Sequence, residues 1–260
     1  MTRKYRSLWL SDVHLGTRGS RATELLDFLS EVSAERIYLV GDIVDLQRMK
    51  SRPRFCEQHM RVVAELVQRA RTGIEVLYIP GNHDYELRNL VGQDLLGIPI
   101  IMEAIHETAG GERLLVTHGD LLDGRIRKGT KLEQFGAAAY FFLSETEVLI
   151  NKWRKSFGRD YVAVSMSIIH KLKGAREYIR LFETFAAELA RERGLDGIVC
   201  GHIHKPSIQY FDGIVYANDG DWVHHQTALA ETQTGELQLL TWEKDEIAVG
   251  TRYEVEPLAA

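Results

Sequence analysis

The chain has only two cysteines, Cys56 and Cys200, among 260 residues. Both sit in apolar or helical surroundings, which excludes a disulfide framework or a zinc finger and favours a reducing compartment. No apolar stretch is long enough to cross a bilayer, and the polar start Met1-Thr2-Arg3-Lys4-Tyr5 carries no signal-peptide core. A cytoplasmic protein is expected, either soluble or held peripherally on the inner face of a membrane. An excess of positive charge is also missing. With 32 Lys and Arg against 37 Asp and Glu, the net charge is -5, so the chain as a whole draws no polyanion by bulk attraction. Nucleic acid is not an expected partner. Proline is scarce, and none occurs between residues 121 and 194.

What is present is a set of short apolar runs, each ending in metal-ligand residue types. Ser7-Leu8-Trp9-Leu10 leads to Asp12-Val13-His14, and Ile37-Tyr38-Leu39-Val40 to Gly41-Asp42-Ile43-Val44-Asp45. Val76-Leu77-Tyr78-Ile79 precedes Gly81-Asn82-His83-Asp84, and Leu114-Leu115-Val116 precedes Thr117-His118-Gly119-Asp120. Gly197-Ile198-Val199-Cys200 precedes Gly201-His202-Ile203-His204. In open α/β sheets, ligands collect in the crevice beyond the carboxyl ends of strands. Clustered carboxylates and imidazoles without a cation are costly to bury. Two divalent ions sharing a bridging carboxylate suit such a set, and mixed nitrogen and oxygen donors suit Mn, with Fe or Zn also possible. Asp42 is the candidate bridge. Asp12, His14 and one distal histidine would complete one ion's shell; Asn82, His118 and the other distal histidine would complete the second. The chemistry expected is hydrolysis of a phosphoric ester or anhydride by a water activated between two cations.

Helical spacing runs from Ala22 to Val32 and from Phe55 to Arg71, the latter with Met60, Val63, Leu66 and Val67 inward. Asp84 to Val91 reads as a short third helix. Tyr210 to Ala217, Gln226 to Glu231 and Leu237 to Trp242 read as late strands with turns at Asp212-Gly213 and Thr234-Gly235. Alternating strands and helices followed by a β-rich end fit a sandwich of two sheets flanked by helices. The pattern breaks between Leu121 and Gly194, which reads as wholly helical with boundaries at Gly158 and Gly174. Core segments 1–120 and 195–260 would therefore carry a helical cap insert, 121–194, tethered at the ligand loops.

The five motifs resemble those of the calcineurin-like metallophosphoesterase superfamily, whose pattern is D-x-H, G-D-x-x-D, G-N-H-D, a later H-G and G-H-x-H. The resemblance implies a four-layer sandwich of two mixed β-sheets. It implies Asp42 as the bridge, Asp12, His14 and His204 on one metal, and Asn82, His118 and His202 on the other. It further implies His83 as the catalytic histidine, beside Asn82, and Asp84 as the residue that orients it. Within the superfamily, Leu10-Ser11-Asp12-Val13-His14-Leu15-Gly16, Gly201-His202-Ile203-His204-Lys205-Pro206 and Asn218-Asp219-Gly220-Asp221-Trp222 are similar to the UDP-2,3-diacylglucosamine diphosphatases of lipid A synthesis. Well-known members of that branch carry Arg at the position of His83. The resemblance implies a nucleotide-lipid pyrophosphate as substrate. A general phosphodiesterase or nuclease is the other enzymatic reading, and a non-catalytic metal-dependent scaffold the third; retention of His83 favours an enzyme.

From Leu121 to Arg180 there are 12 Lys and Arg against 6 Asp and Glu. Aromatic and aliphatic residues such as Phe141, Phe142 and Trp153 lie among them, a mixture that suits a phosphorylated lipid or an anionic membrane face. Arg125, Arg127 and Lys128 leave the His118 loop directly and are candidates for substrate phosphate. Asp45 reads equally as an outer hydrogen-bonding partner of the metal ligands or as a helix cap. His59, His106 and His170 read as packing or surface residues, Cys200 as a small buried strand residue. His224 and His225 fall where they could border the crevice.

Overall fold

The structure is a computed structural model, and it describes residues 2–126 and 173–250. Strand β1 (Arg3–Leu10) is followed by α1 (Ala22–Glu31), β2 (Val32–Val40), α2 (Leu46–Ser51), α3 (Glu57–Arg71) and β3 (Glu75–Ile79). A 3-10 turn (Tyr85–Leu90) and a small hairpin, β4 (Asp94–Leu95) with β5 (Ile98–Pro99), lead to β6 (Ala104–Glu107) and β7 (Arg113–Val116). A helix Lys173–Glu192 precedes β8 (Gly197–Cys200), β9 (Ser207–Phe211), β10 (Ile214–Asn218), β11 (Thr227–Glu231), β12 (Leu237–Glu243) and β13 (Glu246–Gly250).

These strands make two mixed sheets. One runs β13-β12-β11-β1-β2-β3, the other β6-β7-β8-β10-β9. In the first, β1, β2 and β3 are parallel, and β11 joins β1 antiparallel. In the second, β7, β8 and β10 are parallel. Parallel strands covered on both faces read as near-continuous apolar runs. Leu8, Trp9 and Leu10 are all buried for that reason: Leu8 and Leu10 pack with Leu25, Phe28 and Leu29 of α1 and Val62 and Leu66 of α3, whereas Trp9 packs with Tyr38, Val116, Val199 and Leu229 between the sheets. The loops that follow β1, β2 and β7 carry Asp12, Asp42 and His118.

The inward face expected for α3 holds at Leu66 but fails at Met60. His59, Val62 and Leu66 are buried, Val63 and Val67 only partly, and Met60 is 62% exposed. The buried stripe contains a histidine that a hydrophobicity pattern skips: His59 Nδ1 accepts a hydrogen bond from Gly16 N at 3.0 Å. The turn expected at Asp212-Gly213, both residues at positive φ, joins β9 and β10 into a hairpin.

The chain divides into two compact units, Met1–Asp120 with Ala187–Ala260, and Leu121–Ala186. Within the second, Tyr178 Oη donates to Asp123 Oδ1 at 2.6 Å. The expected boundary Gly158 and the residues His170, Phe141, Phe142 and Trp153 lie outside the described residues.

Candidate metal centre

Five of the residues singled out as ligands have left-handed backbones: Asp12 (φ 50°), His14 (50°), Asp42 (54°), His202 (71°) and His204 (50°). Non-glycine residues in that region cost on the order of 1–3 kcal/mol each and cluster at functional sites. Hydrogen bonds between the loops hold the strain. Asp12 N donates to Gly41 O at 3.0 Å, His14 N to Asp42 O at 2.9 Å, and His202 N to Asp12 Oδ2 at 2.9 Å. Each loop thus sets the position of the next.

The side chains converge. Asp12 Oδ1 lies 3.1 Å from His204 Nε2 and 3.7 Å from His14 Nε2. Asp42 Oδ2 lies 3.9 Å from His14 Nε2 on one side and 3.4 Å from His118 Nε2 on the other. His118 Nε2 also faces Asn82 Oδ1 at 3.3 Å, and the His118 and His202 rings meet edge to face at 5.2 Å. Asp42 Oδ1 is occupied separately, accepting from His83 N at 2.7 Å. One oxygen of Asp42 is therefore fixed by the backbone while the other stands between two imidazoles.

The tautomers decide what this cluster can bind. His118 Nδ1 sits 2.8 Å from the Val40 carbonyl, which can only accept, so Nδ1 carries the proton and neutral Nε2 presents a lone pair. His14 Nδ1 sits 3.1 Å from Asp45 Oδ2, with the same consequence. Both Nε2 lone pairs then face carboxylate oxygens: acceptors oppose acceptors. Among the described residues, Asp12 Oδ1 and His14 Nε2 are buried without a hydrogen-bond partner. Only a proton or a cation satisfies such contacts. Burial disfavours charge on His14, yet the Asp12, Asp45 and Asp42 carboxylates around it push its pKa up to about 10. His118 is likewise raised, its burial outweighed by Asp42. The same field would draw a metal ion. Donor pairs 3.1–3.9 Å apart match ligands about 2.0–2.2 Å from a common divalent ion. The residues fit the group.

Asp45 performs both of the roles between which its sequence position left the choice open. Its Oδ1 caps α2 by accepting from Arg48 N at 2.8 Å, and its Oδ2 backs His14. That Oδ2 is also 3.1 Å from His83 Nδ1, though not in hydrogen-bonding geometry. The carboxylate beside His83 is thus Asp45. Asp84 is fully buried with its oxygens engaged elsewhere, by Ile43 N (2.9 Å), Tyr78 Oη (2.5 Å) and Gly81 N (2.6 Å). It fixes the Gly81-Asn82-His83 turn against the Asp42 loop and does not touch the imidazole. Arg88 was not singled out in the sequence. It clamps both oxygens of Asp120 at 2.8 and 2.9 Å and the Pro80 carbonyl at 3.1 Å, joining two ligand loops. Its sequence signal is an arginine in the 3-10 turn that follows the Gly81-Asn82-His83-Asp84 motif. Arg125 is exposed, and Arg127 and Lys128 lie outside the described residues. His224 reaches within 6.2 Å of the His204 ring. His106 is buried on Glu231, and Cys200 is buried in β8.

The model of the calcineurin-like phosphoesterase family matches residues 5–206, a span from β1 through the last candidate ligand. The chain belongs to the calcineurin-like phosphoesterase family. As a member it is a metal-dependent phosphoester hydrolase. This phosphoesterase is similar to the UDP-2,3-diacylglucosamine hydrolase of Aeromonas hydrophila, with 24% identity covering 86% of this chain and 93% of that one. It is also similar to the enzyme of the same name from Neisseria meningitidis serogroup B, with 25% identity covering 82% and 88%. A double mutant of Vps29 from Entamoeba histolytica aligns with the phosphoesterase at a TM-score of 0.50 and 13% identity, covering 94% and 96%, a likeness of fold alone. Among the described residues of the phosphoesterase, no helix is long and apolar enough to cross a membrane.

Proposed function

We propose that this phosphoesterase uses two divalent ions to hydrolyse a UDP-2,3-diacylglucosamine-like nucleotide lipid at its pyrophosphate, giving UMP and a lipid phosphate. The observation that carries the two-ion reading is Asp42 Oδ2, an anionic oxygen standing between the lone pairs of His14 and His118. Asp12, His14, His204 and Asp42 would hold one ion; Asp42, Asn82, His118 and His202 would hold the other. When bound, the pair, with Mn suited to these mixed donors, neutralises phosphoryl charge and lowers the pKa of a water.

The chain's own residues do the rest. His14 and His118 are locked in the tautomer that leaves Nε2 free, by Asp45 and the Val40 carbonyl. Asn82 is carried on the turn that Asp84 ties down, so its amide is presented without rearrangement. His83 is partly exposed at the mouth of the centre with Asp45 at its Nδ1 side. It would give a proton from Nε2 to the leaving oxygen as a general acid. The pyrophosphate substrate is supported by the names of the relatives. Contact of the basic, apolar insert with acyl chains and an anionic membrane face is supported by its composition, and Arg125, Arg127 and Lys128 are its candidate phosphate ligands.

One observation favours a second reading. His83 stands where the well-known lipid A pyrophosphatases carry Arg, and a histidine there matches the general phosphodiesterases of the superfamily. A substrate panel with purified protein and Mn separates the two: a nucleotide-lipid pyrophosphate, cyclic nucleotides, an aryl phosphodiester and DNA. Turnover of the nucleotide lipid far above the others is expected. A preference for cyclic nucleotides or DNA would refute the lipid reading.

A further inference from the structure

The turn after β10 carries a buried carboxylate that the proposed chemistry does not use. Asp221 is fully buried. Its Oδ1 accepts from Val223 N (2.8 Å), His224 N (2.5 Å) and His225 N (3.4 Å), which folds residues 221–225 around one oxygen. Its Oδ2 meets His225 Nδ1 at 2.5 Å. The turn is fastened to the metal centre by its backbone, since Trp222 N donates to the carbonyl of Asp12 at 3.0 Å. The indole of Trp222 is buried against Phe28.

His204 lies on the other side of this carboxylate. Its Nε2 is 3.1 Å from Asp12 Oδ1, and its Nδ1 is 3.8 Å from Asp221 Oδ2. This repeats the wiring of His14 and His118, in which an acceptor behind Nδ1 turns Nε2 toward the centre. A carboxylate behind an imidazole fixes its tautomer and raises its basicity as a ligand. The difference is distance. At 3.8 Å the contact is too long for a hydrogen bond, and the same oxygen lies 2.5 Å from His225 Nδ1.

We propose that Asp221 is a positioning residue for His204, sharing one carboxylate oxygen between the metal centre and the His225 imidazole. His225 then limits how closely Asp221 can back His204, and the turn that displays His224 and His225 at the rim is tied to ligand geometry. The proposal rests on His204 being a metal ligand.

Asp221→Asn separates orientation from folding. An asparagine oxygen can still accept the three backbone N–H groups, but its amide nitrogen would face the two imidazoles with a donor. Calorimetric titration of the metal-free protein with Mn reads the result. Wild type should bind two ions, and Asp221→Asn should bind one of them about 10–100-fold more weakly, with the melting temperature of the metal-free protein nearly unchanged. In a His204→Gln background the same substitution should have no further effect. His225→Gln, which releases the shared oxygen, should bind as tightly as wild type or more so, and it decides the matter if Asp221→Asn does not fold. Unchanged affinity in Asp221→Asn, an additive loss in the double variant, or weakening by His225→Gln would each overturn the proposal. Failure of wild type to bind two ions would instead sink the metal-centre reading, and this inference with it.

Discussion

Gly81 sits between Asp42 and His118 with no room for a side chain. A Cβ there would overlap Asp42 Oδ1 and come within 2.7 Å of His118 Nε2 and 2.8 Å of Asp42 N. Neither neighbour can retreat cheaply. Asp42 Oδ1 is held by His83 N, His118 by the Val40 carbonyl, and Gly81 itself by its N–H bond to Asp84. The φ of Gly81 is not in the left-handed region, so Gly81→Ala adds a clash without backbone strain. Overpacking of this kind costs about 1–3 kcal/mol, and in a chain of this size each kcal/mol lowers the melting temperature by roughly 2–4 °C. The protein should stay folded. The carboxylate, however, must shift by on the order of 1 Å, and such a misplacement costs about 10²-fold in rate. Elemental analysis, scanning calorimetry and aryl phosphodiester turnover on the same preparation read all three effects. Gly124→Ala is the control, since a Cβ there meets nothing within 4 Å. Gly81→Ala with two equivalents of metal and wild-type turnover would refute the reasoning that Asp42 and His118 work at this spacing.

Other residues give sharper separations. His83→Ala should keep its metal but lose about 10²–10⁴-fold in turnover, and less with a leaving group that needs no proton; an equal loss on good and poor leaving groups would show that His83 only binds phosphate. Asp84→Asn should destabilise by about 1–3 kcal/mol, because it turns a donor toward one of three buried donors; chemical denaturation measures this, and a neutral result would count against the assigned contacts. Glu231 predicts a pH dependence far from the metal centre. Burial pushes its pKa up, but hydrogen bonds from His106 and Ala109 N bring it down to about 2 from 4.5. A depressed carboxylate contributes stability that is present above pH 4.5 and lost as pH falls toward 2. Urea unfolding at pH 7 and pH 3 should therefore show a steeper loss for wild type than for Glu231→Gln, and parallel curves would contradict the assignment.

The sequence by itself determined which loops carry the candidate metal ligands. Parallel strands buried on both faces leave apolar runs that end abruptly, and Asp12, His14, Asp42, Asn82, His118, His202 and His204 all follow such ends. What it could not contain is which atom each side chain turns toward which neighbour. Asp84 is adjacent to His83 in the chain yet bonds Ile43, Tyr78 and Gly81, while Asp45, 38 positions earlier, lies beside the imidazole. Met60 and His59 differ by one position, and the buried one is His59, which accepts from the Gly16 N–H beside Val62 and Leu66. Local periodicity reports hydrophobicity along one element. Tautomers, shared carboxylates and left-handed ligand backbones depend on hydrogen bonds between loops far apart in the chain, so tertiary structure alone decided them.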